Sequence, residues 1–212
     1  MRLPKKRFII PFFVLFLVLI RYISEVGFDQ SPADRFRVVN VIDGDTIELS
    51  GGDRLRLLGL DTPEKGQPFY DSAKAFLNAL VIGKNIEVAY SKKRRDGYGR
   101  LLGYIYVDSV WVNKEILRNG LAHLYLFEDN LSDKERIGEL LSAQNRAMES
   151  GQGVWSIKRH EEDYYLAGKG SYRFHRPNCR SLAKRTPEEL IKFFSRAEAF
   201  RQGYSPCRNC RP

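Results

Sequence analysis

The chain has 212 residues, 43% hydrophobic and 12% aromatic, which is enough to build a core and excludes a disordered chain. Its formal net charge of +9 is uneven: residues 1–21 carry +5, residues 22–157 carry −3 and residues 158–212 carry +7. Gathering carboxylates around a cation would itself make the middle acidic, so that segment's low charge does not exclude a nucleic-acid substrate.

In chain order, Lys5-Lys6-Arg7 precedes an uncharged apolar run, Phe8 to Ile20, closed by Arg21. The run is short for a membrane span, yet no A-x-A-like cleavage site follows closely. Tyr22 and Ile23 can lengthen it while Arg21 snorkels. The expectation for residues 1–23 is an uncleaved signal anchor, with a cleaved secretion signal as the alternative. The basic flank places all that follows outside the cytoplasm. Residues 24–35 read as a linker.

Phe36–Ile42 and Thr46–Leu49 are β-rich runs around the turn Asp43-Gly44-Asp45, and Leu55–Leu60 is a third strand stopped by Pro63. Tyr70–Val81 has apolar residues at helical spacing, with Gly83 as its stop. Asn85–Tyr90 and Leu101–Val107 are strands joined by a charged loop, Lys92–Arg100. Val112–Asn119 and Ser132–Glu149 read as helices, the second opening on Ser132 with Glu135 at the capping-box position. Short strands followed by helices imply a closed β-barrel with helices packed on it over residues 36–157. Gly151-Gln152-Gly153 breaks that pattern. Residues 158–169 read as a linker to a small module at 170–212.

Within the barrel segment, four charged elements stand in a fixed order: Asp43-Gly44-Asp45-Thr46, Arg56, Asp61-Thr62-Pro63-Glu64, and Asp96-Gly97-Tyr98-Gly99-Arg100. Asp45, Asp61 and the Thr62 carbonyl can supply oxygen ligands to Ca²⁺, and no nearby His or Cys would recruit a softer metal. Glu64, beyond the Pro63 kink, can orient or deprotonate a water. Arg56 and Arg100 can each grip phosphate oxygens. Taken singly, each motif is an ordinary turn or helix start; their order and spacing make a phosphodiester site.

Residues about 36–157 resemble the staphylococcal nuclease (thermonuclease) family. The resemblance implies an oligonucleotide-binding-type five-stranded barrel with three helices, and Ca²⁺-dependent hydrolysis of DNA and RNA. Asp45, Asp61 and Thr62 match the family's calcium ligands, Glu64 its water-activating glutamate, and Arg56 and Arg100 its phosphate-binding arginines. Tyr125 and Phe127, after Gly120-Leu121-Ala122, resemble the wall of its nucleotide pocket. With Lys92, Lys93 and Tyr98 they are the candidate substrate-binding residues. Two departures stand out: the loop Lys65-Gly66-Gln67-Pro68-Phe69 is short, and Phe127 replaces a tyrosine. A nuclease-fold module that binds nucleic acid without cleaving it is the alternative, although such modules typically lose the arginines or carboxylates retained here.

All three cysteines follow residue 178 and combine with His175 as His175-x3-Cys179 and Cys207-x2-Cys210. One Zn²⁺ would use all four groups in a closed tetrahedral site, whereas disulfide pairing would leave one thiol over. Residues 170–212 also resemble the metal-binding domain of the Ada family of methyl-phosphotriester repair proteins, with Arg196, Ala199 and Gly203-Tyr204 in matching places. His175 stands where that family has its methyl-accepting cysteine. Imidazole can hold zinc but cannot perform the thiolate transfer, so the module reads as structural and as a candidate grip on DNA, its charge of +7 adding non-specific phosphate contacts beside the active site. His123 and His160 lack metal partners and read as ordinary surface or pocket residues. The partners implied are DNA or RNA and, at the N-terminus, a membrane; no protein partner is implied, and a monomer is expected.

Overall fold

The computed structural model describes residues 34–212, which form one compact unit. The expected anchor, residues 1–23, lies outside the described residues. No helix among those described is long and apolar enough to cross a membrane.

Strands β1 (Asp34–Val41), β2 (Thr46–Leu49), β3 (Arg54–Leu57), β5 (Asn85–Arg95) and β6 (Leu101–Val107) pair in the order β3-β2-β1-β5-β6. A parallel β3–β6 pairing, Arg56 opposite Leu102, closes them into a five-stranded barrel. Closure demands that β1 serve two neighbours. Its first half pairs with β5 and its second with β2, and the register shift between Val38 and Asn40 marks the bend. The inward residues Val38, Ile47, Leu49, Leu55, Ile86 and Ile105 are fully buried, so pleat alternation decides which face is core.

Three helices cover the barrel: α1 (Tyr70–Val81), α2 (Val112–Arg118) and α3 (Lys134–Glu149). On α1 the buried residues Ala73, Leu77 and Val81 recur every four positions. Short strands β4 (Leu60–Asp61) and β8 (His123–Leu124) pair beside the barrel, and β7 (Val110–Trp111) extends the sheet beyond β6.

Several boundaries differ from the sequence expectation. The third strand is two strands, because Gly59 takes φ +77 and a Cβ there would meet Leu140 Cδ1 at 2.9 Å. β5 continues through the basic run to Arg95, where the Arg95–Asp53 ion pair at 2.9 Å ties it down. Helix α3 is capped by Asp133, which accepts from the Arg136 N–H at 3.2 Å, not by Ser132. Asx carboxylates cap as well as hydroxyls, and this one lies a residue nearer the apolar stripe.

The C-terminal module is α/β, as expected. Strands β9 (Tyr165–Gly168), β10 (Arg173–His175), β11 (Leu190–Phe193) and β12 (Ser205–Pro206) form a sheet ordered β11-β9-β10-β12, with α4 (Arg196–Arg201) on it. Strand β9 falls inside the stretch read as a linker. Its small core, Tyr165, Phe174, Phe193 and Phe200, reaches Met148 and Trp155 at the end of the nuclease segment. Buried Gln144 of α3 crosses the seam: Oε1 accepts from the Leu124 N–H at 2.6 Å and Nε2 donates to the Phe200 carbonyl at 3.1 Å.

One buried amide fixes the barrel near the site. Asn113, fully buried on α2, accepts from the Ile105 N–H at 2.9 Å and donates to the Leu58 carbonyl at 2.8 Å. Asn113→Leu strands both backbone groups and should cost about 2–4 kcal/mol of stability in urea unfolding. A loss below about 0.5 kcal/mol would show that Asn113 does not hold the β3–β4 bend.

Candidate active site and metal centre

The hairpin turn Asp43-Gly44-Asp45 presses directly on the loop that follows β4. A Cβ at Gly44 would meet Thr62 Cβ at 2.9 Å and Ala73 Cβ at 2.8 Å, so only glycine lets the two segments touch. That contact brings Asp45 to Thr62. The buried Asp45 Oδ2 accepts from the Thr62 N–H at 3.0 Å and its hydroxyl at 2.7 Å, and Asp43 Oδ1 accepts from the Asp45 N–H at 3.1 Å.

Arg56 reaches the same carboxylate from β3. Its Nη2 stands 3.0 Å from Asp45 Oδ2 and 3.9 Å from Asp61 Oδ1, while it also donates to the Leu60 carbonyl at 2.7 Å. Nη1 donates to the Leu57 carbonyl at 2.9 Å. The guanidinium is thereby locked into the chain reversal that delivers Asp61. Burial pushes the Asp45 carboxyl up to about 6; Arg56 pulls it down, and Asp43 adds to the rise. A buried carboxylate held so high is one that a further cation would stabilise in its charged form. Asp45 and Asp61 therefore fit as oxygen donors for a hard dication.

Glu64 is the exposed member of the group, its side chain 70% accessible. Asp45, Asp61 and Glu64 do not close into a three-carboxylate cage; Glu64 stands at the rim, facing the opening. Arg100 is aimed by Asp96, which accepts from its Nε and Nη2 at 2.8 Å each. Burial pushes Asp96 up, and the bonds from Arg100 and from the Tyr98 N–H outweigh it, leaving the carboxyl below the usual range. Lys92 and Lys93 are exposed on the β5 extension, and Tyr98 is 89% exposed at the tip of the β5–β6 hairpin. Tyr125 and Phe127 stand 5.9 Å apart.

The second module stands beside the site, as its charge suggested, and it does so through two arginines that the sequence did not single out. Arg208, inside the Cys207-x2-Cys210 turn, donates to Asp61 Oδ1 at 2.6 Å and lies 3.8 Å from Glu64 Oε1. Arg173 of β10 covers one face of Tyr125 at 3.6 Å and donates to the Leu126 carbonyl at 3.0 Å. His123 is not an idle surface group. It stacks on Phe200 at 5.0 Å, edges Trp155 at 5.0 Å, and is pushed down to about 4 by burial. It is a neutral ring in the seam.

His175, Cys179, Cys207 and Cys210 converge, their ligand atoms all within 4.8 Å of one another. His175 Nδ1 lies 3.3 Å from Cys179 Sγ. Burial, foremost, pushes the Cys210 thiol up to about 12. Crowded thiols and an imidazole at such spacings fit a tetrahedral zinc site.

A family model, "Staphylococcal nuclease homologue", matches residues 54–157, and a second, "Metal binding domain of Ada", matches residues 156–212. Among curated relatives, a "Thermonuclease" of Staphylococcus hyicus is 29% identical over 142 residues, 63% of this chain and 82% of that protein. An "Uncharacterized endonuclease" of Escherichia coli is 39% identical over 124 residues, 57% of this chain and 76% of that protein. A "Thermonuclease" of Staphylococcus intermedius is 31% identical over 153 residues, covering 66% and 89%.

The chain belongs to the staphylococcal nuclease family. By family it is a nuclease, a hydrolase of phosphodiester bonds, carrying an Ada-type metal-binding module at its C-terminal end.

The module's core is too small to stand alone, so its metal should hold it together. In hydrogen exchange, chelation or Cys207→Ser should release the amides of β9–β12 while those of β1–β6 stay protected. Unchanged protection in β9–β12 after complete metal removal would contradict this.

Proposed function

We propose that the chain is a Ca²⁺-dependent endonuclease that cleaves DNA and RNA outside the cytoplasm, with zinc holding its C-terminal module. The observation that carries this reading is the convergence of Asp45, Arg56 and Asp61 on one point, with Glu64 at the open rim beside them.

Asp45, Asp61 and the Thr62 carbonyl would hold calcium, and His175, Cys179, Cys207 and Cys210 would hold zinc. When bound, calcium supplies positive charge against the phosphate and neutralises the buried Asp45. Arg56, pinned by two backbone carbonyls and Asp45, would offer its remaining N–H groups to a phosphate oxygen at little entropic cost. Arg100, aimed by Asp96, meets the charge that grows as the phosphorus becomes five-coordinate. Glu64, 70% accessible at the rim, can take the proton from the attacking water. Tyr125 and Phe127, and the exposed Lys92, Lys93 and Tyr98, would contact the flanking nucleotides.

The basic-then-apolar run at residues 5–20 supports action outside the cytoplasm, with the chain anchored in the membrane or released from it. Protease treatment of intact cells should remove the nuclease domain. Protection of that domain inside the cell would contradict the placement.

Digestion of plasmid DNA and of RNA should require Ca²⁺ and stop in EGTA. Glu64→Ala should lose at least about 100-fold in kcat, the scale of a general base, with an unchanged melting temperature. Near-wild-type cleavage by Glu64→Ala, or full activity in EGTA, would refute the mechanism. Protons compete with the cation for Asp45, whose carboxyl sits near 6 without metal. The Ca²⁺ concentration for half-maximal rate should therefore rise as pH falls from 7 to 5.

A further inference from the structure

A cleft of about 360 Å³ runs along the seam between the barrel and the C-terminal module. Asp61 and Glu64 line it, and so do four arginines: Arg208, which reaches Asp61 at 2.6 Å, and Arg159, Arg196 and Arg211. We propose that this cleft is a binding subsite for a single nucleic-acid strand, holding the phosphates that flank the scissile bond on one side. The proposal rests on the nuclease reading above and adds where the strand goes.

Unsatisfied positive charge is the first argument. Arg208 is committed to Asp61 and Glu64, but among the described residues Arg159, Arg196 and Arg211 form no ion pair. Arg196 Nε is buried and has no hydrogen-bond partner. Burial, then the like charge of Arg159, hold the Arg196 guanidinium below the usual arginine range; Glu161 offsets only part of this. The partly buried Arg196 guanidinium is costly to leave unpaired, and a phosphate held there, with the exposed Arg159 and Arg211 beside it, would remove that cost.

Shape and lining are the second. Val154, Ile157 and Pro206 give the cleft an apolar floor, and His123 joins them as an uncharged ring packed against Phe200. Sugar and base can rest on such a floor while arginines hold the phosphates. A cleft of about 360 Å³ has room for a nucleotide of a separated strand.

Continuity is the third. Arg208 belongs to both places: it stands in the cleft wall and touches the carboxylates of the catalytic rim. A strand following the arginines is thus led to Asp61. The metal-binding turn that carries Arg208 becomes part of the substrate site rather than an appended stabiliser.

The test uses the full chain and a fluorescein-labelled single strand of about a dozen nucleotides, enough to span such a site. Anisotropy is read on the zinc-loaded chain in buffer without added Ca²⁺ or chelator, so binding is measured without turnover and with the module's metal in place. Arg159 and Arg211 are exposed, so the double variant Arg159→Glu/Arg211→Glu should keep the fold, and unchanged circular dichroism confirms it. Its Kd at low salt should rise at least about tenfold, and the log Kd against log salt slope should fall by about 1.4, the loss of two single-strand phosphate contacts. Arg201→Glu, on the same module but outside the cleft, should shift Kd far less. With Ca²⁺ present, the double variant should lose much more activity on the oligonucleotide than on a dinucleotide, which offers one phosphodiester. Binding by the double variant within about twofold of wild type, or an equal loss in Arg201→Glu, would overturn the cleft and leave the nuclease reading standing. Arginine-dependent binding without any Ca²⁺-dependent cleavage would overturn the nuclease reading and leave the cleft as a binding site.

Discussion

One buried carboxylate organises the catalytic half of this molecule. Asp45 is 6% exposed, and an isolated charge at such a position would be strongly unfavourable. Its stabilisation requires the Thr62 N–H and hydroxyl and the Arg56 guanidinium to arrive together. Those groups come from the β1–β2 turn, from β3, and from the loop after β4. Satisfying Asp45 therefore fixes the relative positions of three segments, and Asp61 and Glu64 follow from them. Gly44 permits the contact, and Asn113 anchors the bend from behind by bonding the Leu58 carbonyl. Stability and chemistry are in tension at this point. Burial holds the Asp45 carboxyl high even with Arg56 and Thr62 against it, so a further cation there would stabilise its charged form.

A second constraint lies at the seam between the modules. The buried Gln144 amide, the His123–Phe200–Trp155 ring cluster, and the contacts of Arg173 and Arg208 join the metal-binding module to the barrel. The module lines the same cleft as Asp61 and Glu64, and its Arg208 contacts Asp61. This geometry gives a physical reason for uniting the two domains in one chain. In the proposed subsite, the basic module would wall a substrate track that the small barrel does not line by itself.

Much of the barrel was legible in the sequence, because pleat alternation, helical spacing and the Asp43-Gly44-Asp45 turn are local signals. Tyr70–Val81 and Leu101–Val107 coincide with their expected bounds. The acidic and basic groups of the site were legible for a different reason: their order along the chain resembles that of a family. What escaped was long-range. Gly59 splits one strand into two because Leu140 approaches it, and Arg95 extends β5 because Asp53 lies opposite. Neither partner is marked by local pattern. Asn113 and Gln144 look like ordinary helix-surface amides until burial shows them bonded across elements. Arg208 lies 147 residues from Asp61 in sequence, and only its position between two metal-ligand candidates hinted at a fixed location. Strand β9 was missed because it is short and follows a polar run.

Asp45 and Asp61 are proposed to form a cation site whose affinity comes from the buried Asp45 charge. Isothermal titration of Ca²⁺ into the zinc-loaded full chain and into Asp45→Asn tests it without reference to turnover. The amide keeps the side chain's shape and one hydrogen-bond acceptor, so the fold should persist. The account predicts one Ca²⁺ per wild-type chain and an affinity at least about tenfold weaker, ~1.4 kcal/mol, in Asp45→Asn. Equal affinity in the two proteins would contradict it.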